Sequence, residues 1–314
     1  MQNSIFSGIL LLLSGFCFGQ DFMQHLAMPE GSSIFAIRRY GNELYIGGAF
    51  SSVGTKSGCY TRVDYSDLQV PNFANFFSSG TVNSIISDQQ GGVFIGGIFS
   101  ISAGSEYKNL IHLKPDGTLD SLFQPNPNIT VRTLLLVNNR LFIGGDFGFV
   151  GNTARIRLAE VNLLDGTPTN WAPSANNIVK TMTSNGQRLF IGGHFTEISS
   201  IPRHRIASFD LQTNQLETWN PGADAPVECM LLKKDTLIVG GQFINAGNQN
   251  RRRFAALHTQ KDTALNWIAD ANSTIFALAL KGDTLLAGGS FTNIAGKPST
   301  YLAAFDSNSL LIEN

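Results

Sequence analysis

The chain has 314 residues, of which 14% are charged, and its formal net charge at pH 7 is −1. A balance this close to neutral gives no general attraction for nucleic acid or for an acidic membrane, so neither is an expected partner. Glycine and phenylalanine are abundant, with 32 and 23 residues, and much of this excess comes from one repeated element.

Residues 1–19 have the pattern of a secretory signal peptide. Ile5–Leu13 is a short apolar run, and Cys17-Phe18-Gly19 provides a cleavage signal that would leave Gln20 as the mature N-terminus. The alternative is an uncleaved anchor, which is disfavoured because the run is shorter than the roughly 20 residues that span a bilayer. We therefore expect an exported bacterial protein, secreted, periplasmic or at the cell surface, with no transmembrane segment after cleavage.

The tetrapeptide Gly-Gly-x-Phe occurs six times at intervals of 48 or 49 residues, each time closing an apolar run. A constant period of this size is typical of propellers. We therefore predict an all-β fold, a six-bladed β-propeller in which residues 20–314 form a single domain. The repeats span about 34–81, 82–130, 131–178, 179–226, 227–274 and 275–314. Their tetrapeptides contain Gly47, Gly48 and Phe50; Gly96, Gly97 and Phe99; Gly144, Gly145 and Phe147; Gly192, Gly193 and Phe195; Gly240, Gly241 and Phe243; and Gly288, Gly289 and Phe291.

The third repeat illustrates the predicted blade. Residues 131–137 form an apolar strand, Asn138-Asn139 a turn, and residues 140–147 a second strand. A loop over residues 148–154 leads to a third strand at about 155–163, and a short fourth segment surrounds Trp171. Four antiparallel strands in each repeat make the blade of a β-propeller.

The glycine pairs and the tryptophans are predicted to be structural. Glycine inside a strand indicates a bulge or a close backbone approach, and the following phenylalanine is expected to fill the wedge between neighbouring blades. The three tryptophans lie 48 residues apart, so they share one position in the blade, where we favour packing over carbohydrate stacking. They are Trp171, Trp219 and Trp267.

The sixth repeat ends before its own fourth segment, because the next aromatic residue in register would fall beyond Asn314. We predict that residues 22–29 supply that strand and close the ring, which removes exposed strand edges. Cys59 and Cys229 lie at different positions of their repeats, so no disulfide between them is expected. We expect a monomer.

The second and third repeats contain Pro-Asp-Gly-Thr-Leu-Asp-Ser-Leu-Phe at 115–123, Leu-Phe-Ile-Gly-Gly-Asp-Phe at 141–147 and Arg-Ile-Arg-Leu-Ala at 155–159. These elements resemble the delta-60 repeat of bacterial secreted β-propellers. The pattern is also similar to kelch repeats and, more distantly, to cortical polarity markers of fungal cell walls. The resemblance covers nearly the whole mature chain, although Asp-Gly-Thr-Leu-Asp is complete only in the second repeat. It implies an exported propeller and brings no catalytic residues.

Two variable positions are expected to lie on one face, where a ligand site could be encoded on the constant scaffold. The first is x of Gly-Gly-x-Phe, and the second is the second residue of each first strand. The polar members in repeats three to five are the candidate ligand-binding residues Asp146, His194, Gln242, Arg132, Lys180 and Glu228.

Arginines add a cationic band at the entry to the third strand. Arg155, Arg203 and Arg251 are spaced by 48 residues, and so are Arg157, Arg205 and Arg253. Guanidinium groups in such a band suit carboxylate or sulfate ligands. The alternative is that each arginine pairs with neighbouring carboxylates or carbonyls and only braces its loop.

The sequence favours a non-catalytic binding module for a protein or a glycan. The histidines lie at unrelated repeat positions and no metal, cofactor or nucleophile motif occurs, so we expect no cofactor, no metal and no catalytic residue. The alternative is a glycan-active hydrolase or lyase with acids near the channel mouth, for example Asp146 and Glu228. A third interpretation makes the chain the propeller part of a larger surface protein.

Overall fold

The computed structural model describes residues 11–13, 16–18, 33–40, 43–50, 52–53, 56–57, 59–64, 80–102 and 106–306. Within these ranges the regular secondary structure is entirely β, as predicted. The chain divides into two compact units, whose main boundary falls between Pro173 and Ser174. A short strand pair, Leu11–Leu13 with Phe16–Phe18, precedes the repeats.

The first unit contains three antiparallel sheets, each with its three strands in chain order. Their bounds are Ser33–Tyr40, Glu43–Ala49 and Tyr60–Asp64; Gly80–Ser87, Val93–Ser102 and Glu106–Leu113; and Val131–Val137, Arg140–Gly145 and Leu158–Val161. Small hairpins join second and third strands in two of the repeats. They are Ser52–Val53 with Lys56–Ser57 and Phe149–Val150 with Thr153–Ala154.

The second unit repeats this arrangement. Its three sheets comprise Val179–Ser184, Arg188–Gly193 and Ile206–Asp210; Val227–Lys233, Thr236–Gly241 and Phe254–His258; and Ile275–Lys281, Thr284–Gly289 and Leu302–Phe305. The small hairpins are Glu197–Ile198 with Ile201–Pro202, Asn245–Ala246 with Gln249–Asn250, and Asn293–Ile294 with Lys297–Pro298.

The blade differs from the prediction in its later strands. In the third repeat the third strand is shortened to Leu158–Val161. The expected fourth strand is reduced to one bridge, between Val161 and Pro168, and equivalent single bridges join Leu113 to Leu119 and Phe209 to Leu216. Proline has no N–H to donate to a ladder, so the segment between Pro168 and Pro173 is poorly suited to form a strand.

A β-bulge interrupts the pairing of the first and second strands at the same place in every repeat. In the third repeat Val131 pairs with Gly145 and Thr133 with Gly144, which leaves Arg132 as the extra residue. A Cβ on Gly145 would lie 2.1 Å from the carbonyl oxygen of Thr130, so only glycine fits there. The glycine pair therefore stands at a β-bulge and at a close backbone approach. The six bulge residues are Phe35, Asn83, Arg132, Lys180, Glu228 and Phe276.

The first glycine of the pair packs against the next repeat at four positions, Gly47, Gly96, Gly192 and Gly240. A Cβ on Gly240 would lie 2.6 Å from Cγ2 of Ile275, in the first strand of the next repeat. Buried Phe243 packs between two repeats, since it belongs to a core cluster that contains Phe190 and Trp219 of the preceding repeat. Glycine and phenylalanine thus act together where two sheets of one unit meet.

The tryptophans pack edge-to-face on the second or third strand of their own repeats. Ring centroids are 5.1 Å apart for Trp171 and Phe142, 5.4 Å for Trp219 and Phe190, and 4.9 Å for Trp267 and Phe254. Such aromatic pairs stabilise a core beyond the area they bury. Each of the three tryptophans thus packs on an aromatic ring of its own repeat.

Both cysteines of the predicted mature chain lie among the described residues. Cys59 and Cys229 are each buried and free. Burial raises the pKa of Cys59 to about 11 and raises that of Cys229 as well. Residues 22–29, predicted to close the last blade, lie outside the described residues, as do residues 1–10, 14–15 and 19 of the predicted signal peptide. Within the described ranges no helix has the length and apolar character needed to cross a membrane.

Candidate functional site

Each three-stranded sheet has two chemically distinct ends. We call the end that carries the bulge residue and Gly-Gly-x-Phe the bulge end, and the opposite end, where a turn joins the first and second strands, the hairpin end. Because a bulge re-aims its side chain away from the regular alternation of the strand, the bulge end is where the repeats can vary without disturbing the core. Both variable positions chosen from the sequence lie at this end.

In the second unit the bulge end brings four of the predicted residues together. The Glu228 carboxylate accepts a hydrogen bond from Nε2 of Gln242 at 2.8 Å. Nζ of Lys180 lies 3.7 Å from Oε2 of Glu228, and Nε2 of His194 lies 3.3 Å from Oε1. The histidine contact is poorly directed for a hydrogen bond. Lys180 and His194 come from the fourth repeat, whereas Glu228 and Gln242 come from the fifth.

These contacts keep Glu228 ionised although it is buried. Burial alone raises the pKa of the carboxyl group. The nearby His194, the positive charge of Lys180 and the amide of Gln242 lower the pKa by more, so that it falls below the ordinary value of 4.5. The side chain of Glu228 is only 7% exposed, whereas those of Lys180 and His194 are 34% and 28% exposed. The anion is therefore held inside, and the side chains of Lys180 and His194 are partly exposed.

The first unit contains a self-contained ion pair at the same end. Arg132, the bulge residue of the third repeat, donates from Nε to Oδ1 of Asp146 at 3.1 Å and from its Nη2 to Oδ2 at 2.7 Å. Such a bidentate geometry is the strong form of the arginine–carboxylate contact. The two predicted residues thus form an ion pair with each other, and both side chains remain partly exposed.

Arg155, Arg203 and Arg251 bond to carbonyl oxygens of their own loops. One Nη group of each donates to the preceding carbonyl, and the other donates to the carbonyl 14 residues further on, for example Glu217 O for Arg203 at 2.5 Å. Burial lowers the pKa of Arg203, although the charge of Asp262 opposes this effect. This is the arrangement of the bracing alternative, and anion binding by these arginines stays a prediction.

In repeats three to five, the arginine two residues further along the chain has a left-handed backbone conformation that the sequence did not predict. Arg157, Arg205 and Arg253 have φ of 64°, 69° and 66°, and Asn109 and Tyr301 occupy the same position with 63° and 67°. Positive φ is uncommon for such residues. Here two backbone hydrogen bonds fix it: the N–H of Arg205 donates to Phe195 O at 2.9 Å, and its carbonyl accepts from the Gly193 N–H at 3.0 Å. We call these five the left-handed residues.

A second device that the sequence analysis missed is a periodic loop clamp. Oδ1 of Asp224 accepts from the N–H groups of Ile244 at 2.9 Å and Asn245 at 3.1 Å, in the loop that follows Gly-Gly-x-Phe. Burial raises the pKa of Asp224, but these hydrogen bonds lower it by more. The spacing of 48 residues was a readable signal for the set, which comprises Asn128, Asn176, Asp224 and Asn272.

Two aromatic side chains stand exposed at the bulge end of the sixth repeat. Phe276 is its bulge residue and is 44% exposed, and Tyr301 is its left-handed residue and is 54% exposed. They flank Gly289, which pairs with Ile275 beside the bulge and donates its N–H to the Tyr301 carbonyl at 3.0 Å. Neither residue is among the sequence-predicted candidates, which are the polar members in repeats three to five.

The hairpin end of the fourth repeat holds a contrasting polar cluster. Arg188 donates to Glu217 Oε2 and to Ser208 Oγ, at 2.5 and 2.8 Å, and also to the carbonyl oxygen of Thr259. The guanidinium carbon lies 4.8 Å from the centre of the Phe190 ring and 5.3 Å from that of Trp219. In the described part of the chain no group of three or more His, Cys, Asp or Glu side chains is arranged to hold a metal ion.

Comparisons with known proteins concern the fold. The family described as "Domain of unknown function (DUF5122) beta-propeller" matches residues 91–123. The chain has no match among the curated proteins with which it was compared. Residues 91–123 include the Asp-Gly-Thr-Leu-Asp element of the second repeat, so the family match and the resemblance inferred from the sequence rest on overlapping residues.

Three solved structures are similar to the chain. The computationally designed Ika8 protein is 14% identical with a TM-score of 0.53, over 91% of this chain and 88% of that chain. The WD40 β-propeller domain of Doa1 is 13% identical with a TM-score of 0.53, over 82% and 76%. The extracellular domain of a one-component system, BT4673 from B. thetaiotaomicron, is 14% identical with a TM-score of 0.52, and the match covers 83% of this chain but 32% of that one. These likenesses support a β-propeller fold, whereas the delta-60 and kelch assignments stay predictions.

Proposed function

We propose that the chain is a non-catalytic binding module of the β-propeller class, which recognises a protein or a glycan through the bulge end of its sheets. The observation that carries this proposal is the partition of each repeat into a constant frame and a variable bulge end. The frame consists of glycines, buried phenylalanines and packed tryptophans. The bulge residue and the x residue differ from repeat to repeat, and several of them are charged and partly exposed.

The scaffold that we propose is a closed ring of six blades, in which residues 22–29 complete the last blade, and we propose that the protein is exported after removal of residues 1–19. The constant period of Gly-Gly-x-Phe supports the six repeats. Closure would leave no sheet edge free to pair with another chain, which also supports a monomer.

An enzymatic role would need acidic groups free to transfer protons or to attack a substrate. Glu228, the buried acid of the second unit's bulge end, instead faces the Lys180 amine, the His194 imidazole and the Gln242 amide. A carboxylate neutralised in this way is suited to hold its neighbours in place. We therefore retain binding as the proposed function.

The test compares two matched variants of the full-length protein on a glycan array and in affinity capture from culture supernatant. Gln242→Ala changes the bulge end of the fifth repeat, and Gln260→Ala removes the same exposed side chain at the hairpin end. We expect Gln242→Ala to weaken binding about tenfold, equivalent to about 1.4 kcal/mol, and Gln260→Ala to leave it unchanged. Equal binding by both variants and the wild type would place recognition elsewhere and overturn the proposal.

A further inference from the structure

We propose that the bulge end of the fifth and sixth repeats binds a sugar ring that carries a carboxylate, so that the ligand is an acidic oligosaccharide. This inference rests on the proposed binding function and names the ligand class for the same end of the molecule. It is carried by the exposed pair Phe276 and Tyr301, by the guanidinium of Arg253 in the preceding repeat, and by the exposed amide of Gln242, which keeps its oxygen and one N–H after bonding to Glu228.

The two exposed rings leave fixed backbone positions on either side of Gly289. The backbone of Tyr301 is fixed on both sides, since its N–H donates to Phe291 O at 2.9 Å and its carbonyl accepts from Gly289 at 3.0 Å. Phe276 is fixed by the bulge between the pairs Ile275–Gly289 and Ala277–Gly288. An aromatic side chain on a fixed backbone offers a large contact area at a small cost in conformational entropy, which suits the apolar face of a pyranose ring.

The fifth repeat supplies the polar side of the site. Cys229, next to the bulge residue Glu228, has its Sγ 3.8 Å from the carbonyl oxygen of Ile275, next to the bulge residue Phe276. The two bulges are therefore neighbours. Side chains at neighbouring bulges do reach each other in this unit, as the 3.7 Å contact between Lys180 and Glu228 shows.

Arg253 is the cation best placed to meet a ligand carboxylate. Its φ of 66° matches the 67° of Tyr301, so the two side chains leave equivalent backbone positions of adjacent repeats. In the described part of the chain its guanidinium has no hydrogen-bond or ion-pair partner, whereas the equivalent Arg205 donates to the carbonyl of His194. Guanidinium groups bind carboxylates through two parallel hydrogen bonds, and exposed Gln242 lies beside the same turn.

Charge and size favour an acidic sugar over a protein. Lys180 and Arg253 outnumber Glu228, whose charge Lys180 already offsets, so the surface selects an anion. A stable protein interface covers about 800 Å² on each partner. Two rings, one guanidinium and one amide are a smaller set, and they match the apolar face, carboxylate and hydroxyl groups of one or two sugar residues.

The experiment is calorimetric titration of the full-length protein with trimers of galacturonate, glucuronate and mannuronate, each beside its neutral methyl ester. We expect at least one acid to bind at least tenfold more tightly than its ester. Arg253→Gln should remove that preference while leaving the weaker ester binding intact, and Phe276→Ala or Tyr301→Ala should weaken both ligands at least tenfold. The control is Lys281→Ala, which removes a positive charge at the hairpin end of the strand that carries Phe276 and should change nothing. Circular dichroism melting of each variant verifies that it is folded.

Three results would overturn the inference: no binding of any acid, equal binding of acid and ester, or an undiminished acid preference in Arg253→Gln. These results leave the proposed function open to separate judgement. If the acids fail but another partner binds and is lost in Gln242→Ala and not in Gln260→Ala, the binding module stands and only its ligand class is wrong.

Discussion

The hairpin end and the bulge end of the second unit differ in which charged group is buried and in how far its partners are exposed. At the hairpin end, Arg188 places its guanidinium among Glu217, Ser208 and the Thr259 carbonyl, beside two aromatic rings. At the bulge end the buried group is an anion, Glu228, and the side chains of Lys180 and His194 are partly exposed. The guanidinium of Arg188 is hydrogen-bonded entirely within the protein, whereas the Lys180 side chain is partly exposed to solvent.

This difference separates structure from recognition. A buried charge is tolerated only when its hydrogen bonds are satisfied, and a cluster that satisfies all of them has none left for a ligand. The hairpin-end cluster joins the fourth repeat to the fifth through the contact from Arg188 to Thr259. The bulge-end cluster also joins these two repeats, but Lys180 and Gln242 remain accessible. We expect mutations at the two ends to affect stability and binding in opposite proportion.

The largest expected effect is at the hairpin end. Arg188→Ala should lower the free energy of unfolding by about 3 kcal/mol, because the buried guanidinium donates to Glu217, Ser208 and the Thr259 carbonyl, and all three lose this donor. Its matched control, Lys180→Ala at the bulge end, should cost only about 0.5 kcal/mol, because the lysine is partly exposed and Glu228 keeps its hydrogen bond from Gln242. Urea denaturation followed by tryptophan fluorescence measures both. Similar losses in the two variants would remove the distinction between the ends.

The second effect tests the glycine frame beneath the bulge end. Gly240→Ala should cost about 2 kcal/mol, because the added Cβ overpacks the contact with Ile275. Gly148→Ala is the control, since a Cβ there would meet no atom within 4 Å, and it should change stability by less than about 0.5 kcal/mol. Thermal unfolding by calorimetry compares the two. Equal values would mean that the paired glycines are not required by packing.

The same substitution in the sixth repeat examines the proposed ring. Among the described residues, the nearest atoms to a Cβ on Gly288 are the Tyr301 carbonyl oxygen at 3.8 Å and Cβ of Ala277 at 3.9 Å. If the ring closes, a first strand packs on Gly288 as Ile275 packs on Gly240, and Gly288→Ala should be about as costly. A cost near that of Gly148→Ala would argue against closure.

The sequence predicted those features that depend on residue type repeated at a fixed spacing. The glycine pairs, the wedge phenylalanines, the packed tryptophans and the variable positions at one end were all readable from the period of 48. The left-handed backbone conformation of Arg157, Arg205 and Arg253 could not be predicted from residue type and spacing. Arg155 and Arg157 are two residues apart and chemically identical, yet the first braces a loop and the second occupies a left-handed turn. Since asparagine, arginine and tyrosine all occupy that turn, tertiary hydrogen bonds and not residue type determine it.

The smallest expected effect is a pH dependence at the bulge end. Burial raises the pKa of Glu228, but His194, Lys180 and Gln242 together lower it by a larger amount. The pKa of this carboxyl group in the folded protein therefore lies below the ordinary 4.5. A carboxyl group with a lowered folded pKa stabilises the fold above its unfolded pKa, and this contribution is lost as the pH falls through the folded value. At pH 7, Glu228→Gln should therefore be less stable than the wild type by about 1 kcal/mol, as expected for lost charge-assisted hydrogen bonds. The difference should shrink progressively as the pH falls below 4.5.

Urea denaturation of both proteins between pH 7 and pH 3 measures this difference in stability. Subtracting the two curves cancels the contributions of other carboxyl groups such as Asp224. A difference that stays constant over this range would mean that the bulge-end cluster does not hold Glu228 as an anion, and the contrast between the two ends would then be one of exposure alone.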